Sequence, residues 1–530
     1  MALPSILQDR ASSWAFALGV IGVTAGVLLH LPMFWMGRDM GFRLAGMPMD
    51  SGMLAGMVMI LAGVVLAAWG LLPKNVAEQV QASRHISIAA PEDAPLTKAH
   101  WQLMAVLVIA LVIDVMKPAA LGFVMPGLKA EYGVTAARGA ALPFSALAGT
   151  VVGSVFWGIM ADIYGRKATI MLSAVMFVGT SICGAMPSLT WNVVMCFLMG
   201  AAAGGMLPVT YALLAETMPT RHRGWALVLV GGLGSGGGYF AASGFSAWLE
   251  PIYSWRILWL LNLPTGLLLL SLSGFIPESG KFLLARGRRA EAQAAMARFG
   301  TRSIEHGPER EDPIAAPVPL DHGAHRAGLW SHGFRGRTAA LTTIALGWGL
   351  VNFGLLLWMP ADFVARGLPM AAASKLLAQS ALIAFPTVAV GAFFYSRWST
   401  KGSLLVATAI SGLGLVGVLA MDTLGVSLPP VAIIALLIIG NNAVLAIVLP
   451  YASESYPLHI RGRATGWVAA CTKAGGLAAQ ALSVTALVPP LGVVAALIML
   501  PVLLGLALTM AFCPETRGVD LREVDARAHA

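Results

Sequence analysis

Apolar stretches of about 20 residues, separated by polar turns, follow one another through most of the chain. No other feature limits its folding as tightly. At 1.5 Å per residue, about 20 mainly apolar residues carry a helix across the ~30 Å hydrocarbon core of a bilayer. Fourteen segments qualify. Two come early, at 13–34 and 51–72, and a polar stretch runs from Pro73 to about Lys98. Six follow at 102–126, 138–161, 168–186, 190–215, 224–248 and 255–276. After a basic loop, 277–336, come six more at 338–360, 371–395, 403–421, 429–451, 464–488 and 490–512. Hydrocarbon offers backbone groups no partners, so such segments must fold as helices. Composition agrees: 11% of residues are charged, against roughly 25% in soluble domains. The first segment resembles the apolar region of a signal peptide. It is expected to be retained, because no small-x-small cleavage site precedes the next polar stretch.

The net charge of +9 is not gathered into a patch, which argues against nucleic acid as a partner. With both termini and the long loops in the cytoplasm, 25 of the 34 Lys and Arg residues lie inside and seven outside, with Lys117 and Lys473 within helices. Without the long loop the ratio is still 15 to 7, so the basic excess reads as a topology signal. The four cysteines, Cys183, Cys196, Cys471 and Cys513, are scattered without a C-x-x-C pair and read as structural thiols.

The last twelve segments repeat internally. Glu216-Thr-Met-Pro219-Thr-Arg-His-Arg223-Gly224 and Glu454-Ser-Tyr-Pro457-Leu-His-Ile-Arg461-Gly462 share the pattern E-x-x-P-x-x-x-R-G at an offset of 238 residues. Pro277-Glu278-Ser279 and Pro514-Glu515-Thr516 close the two sets at an offset of 237. A duplicated six-plus-six bundle follows. The expected organisation is an all-α polytopic membrane protein. Residues 1–99 hold two extra N-terminal helices and a linker, and 100–276 the first six-helix half. Residues 277–336 form a cytoplasmic loop, and 337–530 the second half and tail.

Between core helices 2 and 3 stands Gly158-Ile-Met-Ala-Asp162-Ile-Tyr-Gly165-Arg166-Lys167. With the two repeated motifs, this loop resembles the major facilitator superfamily, in or near its sugar-porter and metabolite:proton symporter branches, over about residues 100–518. The resemblance implies a secondary transporter working by alternating access. It also implies a charge network between the halves that closes the inner side. Asp162, Gly165, Arg166, Lys167, Glu216, Arg223, Glu454 and Arg461 are its gating candidates here. The second copy of the 2–3 loop, Gly391 to Lys401, lacks the aspartate. The fourth core helix has no arginine at its start, where sugar porters usually carry one, which weighs against a sugar substrate.

Ionisable groups within the bilayer cost several kcal/mol unless paired or solvated, so each needs a reason. Core helix 1 carries Asp114 near mid-membrane and Lys117 one turn on, on the same face. Pro118 is expected to break this helix and free a carbonyl towards a cavity. A self-neutralising pair, proton coupling through Asp114 and substrate contact are all open readings. Lys473 lies about ten residues into core helix 11. It would either snorkel to the interface or meet Asp114 across the bundle. Two lysines and one aspartate leave a central cavity net positive, which favours an anionic substrate. Asn352, Gln379, Asn441, Asn442 and Gln480 are further cavity candidates, or interhelical hydrogen bonders. For Trp348, Phe353 and Trp358, packing is the plainer expectation. Gly149-x-x-x-Gly153 and Gly200-x-x-x-Gly204 let helices approach closely.

Enzyme readings find little support. Gly274 to Lys281 has the wrong spacing for a phosphate loop, and no Ser or Thr follows the lysine. His322, His325 and His332 fall in a polar loop and read as linker rather than metal site. The expectation is therefore a cofactor-free, monomeric secondary transporter of a bacterial-type inner membrane, with both termini cytoplasmic. It would take up a small organic anion together with protons. A sugar or polyol porter, a drug or metabolite exporter and a non-transporting sensor are the rival readings. Single cysteines placed in 277–336 should react with an impermeant thiol reagent only after the cells are permeabilised. Labelling in intact cells would invert the topology.

Overall fold

The computed structural model describes residues 10–72, 86–89, 95–278, 283–284, 288–300, 302–305, 328–423 and 429–517, without the side chains of 86–89, 302–305, Asp162, Thr220, Leu458 and His459. Among them, thirteen helices are long and apolar enough to cross a membrane. The fourteenth expected span folds as a helix at Leu458–Val484. It is more polar than the others because it carries Arg461, Arg463, Lys473 and Gln480.

The chain opens with a helical hairpin, α1 (Arg10–Leu28) and α2 (Ser51–Leu71). Small residues seven apart on each helix meet in antiparallel order. Gly19 lies against Gly63, Gly26 against Gly56, and Gly70 against Ser12. A Cβ on any of these glycines would overlap the other helix's backbone, so the contact is backbone to backbone. The hairpin packs on α5 (Arg166–Gly179) through Val23, Ile60, Met171, Val175 and Val178.

The core begins with α3 (Lys98–Tyr132), which runs unbroken through Pro118 and Pro126. The expected break at Pro118 does not occur. Proline removes one N–H, and neighbouring helices hold the rest of the ladder together. There follow α4 (Ala141–Tyr164), α5, α6 (Leu189–Ala203), α7 (Met206–Thr217), α8 (Thr220–Tyr253) and α9 (Asn262–Leu272). The segment expected as one span at 190–215 divides at Gly204-Gly205, where Gly205 lies against the Trp157 side chain. Gly149 and Gly153 of α4 rest on the Phe197 and Ala201 carbonyls of α6. In return, Gly200 and Gly204 rest on those of Ala146 and Thr150. The two G-x-x-x-G motifs thus face each other.

The second set runs α10 (Arg335–Leu350), α11 (Leu356–Ala365), α12 (Met370–Ala384), α13 (Thr387–Arg397), α14 (Thr400–Thr423), α15 (Pro430–Ser455), α16 (Leu458–Val484) and α17 (Leu491–Phe512). A π-helical turn, Val351–Leu355, joins α10 to α11, and Pro386 separates α12 from α13. One small sheet interrupts the helical pattern. β1 (Ile86–Ala89) pairs antiparallel with β2 (Arg302–Glu305), Ile86 opposite Glu305. It joins the polar linker to the central loop at one end of the bundle. There Thr97 Oγ1 also donates to the Arg298 carbonyl at 3.3 Å, and the His100 ring meets Phe299 edge-on.

The two Pro-Glu motifs do the same work in each half. Glu278 accepts from the Arg166 N–H at 2.9 Å and Lys167 N–H at 3.5 Å, capping α5. Glu515 accepts from the Thr400 N–H at 2.9 Å and from the Ser399 and Thr400 hydroxyls, capping α14. Carboxylates suit helix N-termini because the first N–H groups have no intrahelical partner. Burial opposes ionisation of Glu515, yet these hydrogen bonds hold its carboxyl down at about 2. Gly165, at φ +95°, leaves room for the first cap. A Cβ there would lie 2.8 Å from the Glu278 carboxylate, and the backbone angle already disfavours any side chain.

At the opposite end, a buried clasp fixes the hairpin to the core. Glu131 accepts from the Leu44 and Ala45 N–H groups at 2.7 and 2.9 Å, and from Trp255 Nε1 at 2.9 Å. It also pairs with Arg256 at 2.7 Å, with side-chain exposures of 4% and 0%. Arg256 donates on to the Gly184 and Met186 carbonyls and to the Tyr132 hydroxyl. Replacing Glu131 by Ala would strand a buried guanidinium, a loss of about 3–5 kcal/mol. Glu131→Ala should lower the thermal midpoint of the detergent-solubilised protein and speed proteolysis within 37–50, while a wild-type midpoint would show the clasp to be idle.

Candidate functional site

Helices from both sets converge on one cavity at mid-bundle. It holds about 980 Å³ of atom-free space, its open mouth included. Asp114 and Pro118 of α3, Thr150 of α4, Ser235 and Tyr239 of α8, Trp348 of α10, Asn352 and Phe353 of the π-turn, Asn442 of α15, and Thr472 and Lys473 of α16 line it. Pro118 has no N–H to give to the carbonyl four residues earlier, that of Asp114. The unbroken α3 therefore lacks that ladder bond at the level of the site. Sequence gives no marker for the π-turn, an irregularity common at functional sites. It places Asn352 and Phe353 side by side on the wall.

The cavity is apolar with a few polar groups. Asp114, 7% exposed, lies within electrostatic reach of Lys473 on the opposite half and of Lys117 on its own helix. Its Oδ1 has no hydrogen-bond partner among the described residues. The Lys473 ammonium lies 5.4 Å from the Phe353 ring centroid, close enough for cation–π attraction. Trp348 stands edge-on to Phe353, centroids 5.6 Å apart, held by its Nε1–H donating to the Asn441 carbonyl at 2.8 Å. Against the expectation of packing alone, Trp348 and Phe353 both face the cavity. Ser235 Oγ donates to Asn442 Oδ1 at 3.0 Å.

Other candidates fall elsewhere. Lys117 is not on the cavity wall. It is buried and its ammonium lies over the Phe177 ring of α5, about 100° round the helix from Pro118 on the wall. Gln379 is exposed. It falls off the buried α12 stripe of Ala373, Ser374, Leu377, Ala378 and Ala381. Gln480 is buried and donates to the Phe353 carbonyl, bracing the π-turn from α16. Asn441 donates to Asn352 Oδ1 at 3.2 Å, which ties α15 to that turn. Both act between helices rather than on the wall. Sequence reasoning passed over Ser235 and Tyr239, although they lie one turn apart on the glycine-rich α8.

The gating candidates collect at the end where β1 and β2 pair. Arg166 bridges to Glu216 at 3.0 Å. Glu454 accepts from the Tyr395 hydroxyl at 2.8 Å and the Thr516 hydroxyl at 2.9 Å. A Cβ on Gly224 would lie 3.2 Å from its Oε1, so this carboxylate sits against the other half. Arg223, half-buried, lies within electrostatic reach of Glu454 and Arg461. The side chain of Asp162 and the residues His322 and His325 lie outside the described residues.

Residues 107–480 match the sequence profile of the Major Facilitator Superfamily. The niacin transporter NiaP of Acinetobacter baylyi is 26% identical over 394 residues, covering 73% of this chain and 87% of the relative. The gallate transporter of Pseudomonas putida is 26% identical over 395 residues, 73% and 85% of the two chains. The 4-hydroxybenzoate transporter PcaK of Acinetobacter baylyi is 30% identical over 254 residues, 45% of this chain and 55% of the relative. In fold, the chain resembles the proton:xylose symporter XylE, with a TM-score of 0.62 at 17% identity, over 81% of this chain and 98% of that one. The fold, the repeated halves and the matched span together show that this chain is a membrane transporter, not an enzyme, and belongs to the Major Facilitator Superfamily.

Proposed function

We propose that the protein carries a small aromatic carboxylate across a bacterial inner membrane by alternating access, with proton movement through Asp114. The observation that carries this reading is the cavity wall itself. A lysine and an aromatic pair, Lys473 with Phe353 and Trp348, stand beside a carboxylate that both halves share. An ammonium suits a carboxylate, and aromatic faces suit a flat ring. Niacin, 4-hydroxybenzoate and gallate, the cargoes in the relatives' names, are each a ring bearing one carboxyl group.

In this reading the substrate carboxylate competes with Asp114 for Lys473. A proton on Asp114 removes that competition, so proton and anion enter together and leave together. Such a cycle needs each end of the cavity to close in turn. Arg223 with Glu454 and Arg461 between the halves, backed by Arg166 and Glu216, forms the gate at the cytoplasmic end. The halves 100–276 and 337–530 move as units about the cavity, with both termini and the paired loops on the cytoplasmic side.

Uptake of labelled 4-hydroxybenzoate by expressing cells should rise as external pH falls and collapse with a protonophore. Asp114→Asn, a fixed mimic of the protonated form, should lose concentrative uptake yet retain exchange of internal for external substrate. Lys473→Ala should raise the apparent KM about tenfold or more, as expected when a charged hydrogen bond is lost. Concentrative, protonophore-sensitive uptake by Asp114→Asn would end the coupling proposal.

The gate is tested separately. Glu454→Gln should weaken the closed end and make a cysteine introduced at Thr472 react several-fold faster with a thiol reagent applied from the cytoplasmic side of inverted vesicles. An unchanged rate would remove Glu454 from the gate.

A further inference from the structure

The cavity carries a second polar group that the charge argument leaves unused. Asn442 and Tyr239 both line it, 6% and 8% exposed, and come from opposite halves, α15 and α8. Neither Asn442 Nδ2 nor Tyr239 Oη has a hydrogen-bond partner among the described residues. Buried polar groups are rarely left unpaired, and in a binding cavity the missing partner is a ligand group or solvent. The amide is also oriented. Ser235, one turn before Tyr239 on α8, donates its hydroxyl to Asn442 Oδ1 at 3.0 Å. A hydroxyl donor on the carbonyl oxygen sets the amide so that its N–H₂ remains to be used. Among the described residues, the amide N–H₂ and the Tyr239 hydroxyl are thus both buried and unpaired on residues that line the cavity.

The geometry points to a second recognition subsite, formed by Asn442 and Tyr239 and oriented by Ser235, for a polar ring substituent of the substrate. The inference rests on the aromatic-carboxylate reading and deepens it. A phenolic oxygen matches the pair best, accepting from Asn442 Nδ2–H and exchanging a hydrogen bond with Tyr239 Oη. A bare benzene ring would leave both groups buried and unpaired. Sites built to hydrogen-bond a substrate hydroxyl reject the analogue that lacks it far more strongly than apolar pockets reject an added group. Ser235 acts here as a positioning residue, since it meets the substrate only through Asn442.

The test is competition among ring analogues in cells expressing the full chain. Uptake of labelled 4-hydroxybenzoate is measured against unlabelled benzoate, nicotinate and 4-hydroxybenzoate. Wild type should favour 4-hydroxybenzoate over benzoate by about tenfold or more in apparent affinity. Asn442→Leu and Tyr239→Phe should each shrink that ratio, by weakening 4-hydroxybenzoate more than benzoate. Ser235→Ala should shrink it partly, because the freed amide can turn over. Loss of uptake for both analogues in equal proportion would show a purely structural role. A ratio unchanged in both Asn442→Leu and Tyr239→Phe, or absent in wild type, would overturn the subsite and leave the carboxylate reading standing. No uptake of any aromatic carboxylate by wild type would overturn that reading, and the subsite with it.

Discussion

Hydrocarbon will not hydrogen-bond a peptide group, and every other property of this chain is arranged around that fact. It forces helices wherever lipid is met. It also restricts irregular backbone to places where protein or a cavity supplies the missing partners. The irregular positions obey this rule. The ladder bond lost at Pro118 and the π-turn at Val351–Leu355 both lie at the cavity. The break at Gly204-Gly205 is covered by Trp157. Where no cavity is near, helices close on each other through reciprocal glycines, and carbonyl oxygens replace side chains at the contact.

The same medium governs charge. Glu131 and Arg256 can be buried because, besides each other, six backbone and side-chain groups share their lone pairs and protons. Asp114 is buried and Lys473 half-buried without such a shell, and the two lie within electrostatic reach of each other across the junction of the halves. One pair is saturated and holds structure. The other is unsaturated and open to a ligand or a proton. The contrast lies in the surroundings rather than in the residue types.

Much of this was legible from sequence, for physical reasons. Helix number and order follow from runs of apolar residues, which the bilayer reads directly. The internal repeat located the two capping motifs, although only the structure shows Glu278 and Glu515 doing the same task at α5 and α14. Asp114, Asn352, Asn442 and Lys473 were identifiable because a polar group in an apolar helix has few reasons to exist. What sequence could not supply is the angle at which each such group emerges. One step of about 100° along a helix sends Gln379 outwards. A like step separates Lys117, over Phe177, from Pro118 on the cavity wall. Ser235 and Tyr239 lie in a stretch of glycines that spacing alone reads as packing. The seven-residue spacing of small residues on α1 and α2 was visible in the sequence, but it gains meaning only when the two helices are set antiparallel.

The hairpin of α1 and α2 covers one side of α5, and the span that contains α5, 166–185, is 94% buried. Among the described residues the protein is therefore lopsided in the plane of the membrane, with eight spans on one flank and six on the other. Bilayer drag on a body grows with its footprint. If the halves rock as proposed, the wider flank moves somewhat less in the lipid frame than the narrower one. Annular lipid is then rearranged somewhat more around α10 to α17. Bilayer thickness and fluidity would act on the turnover of this carrier more strongly from that side.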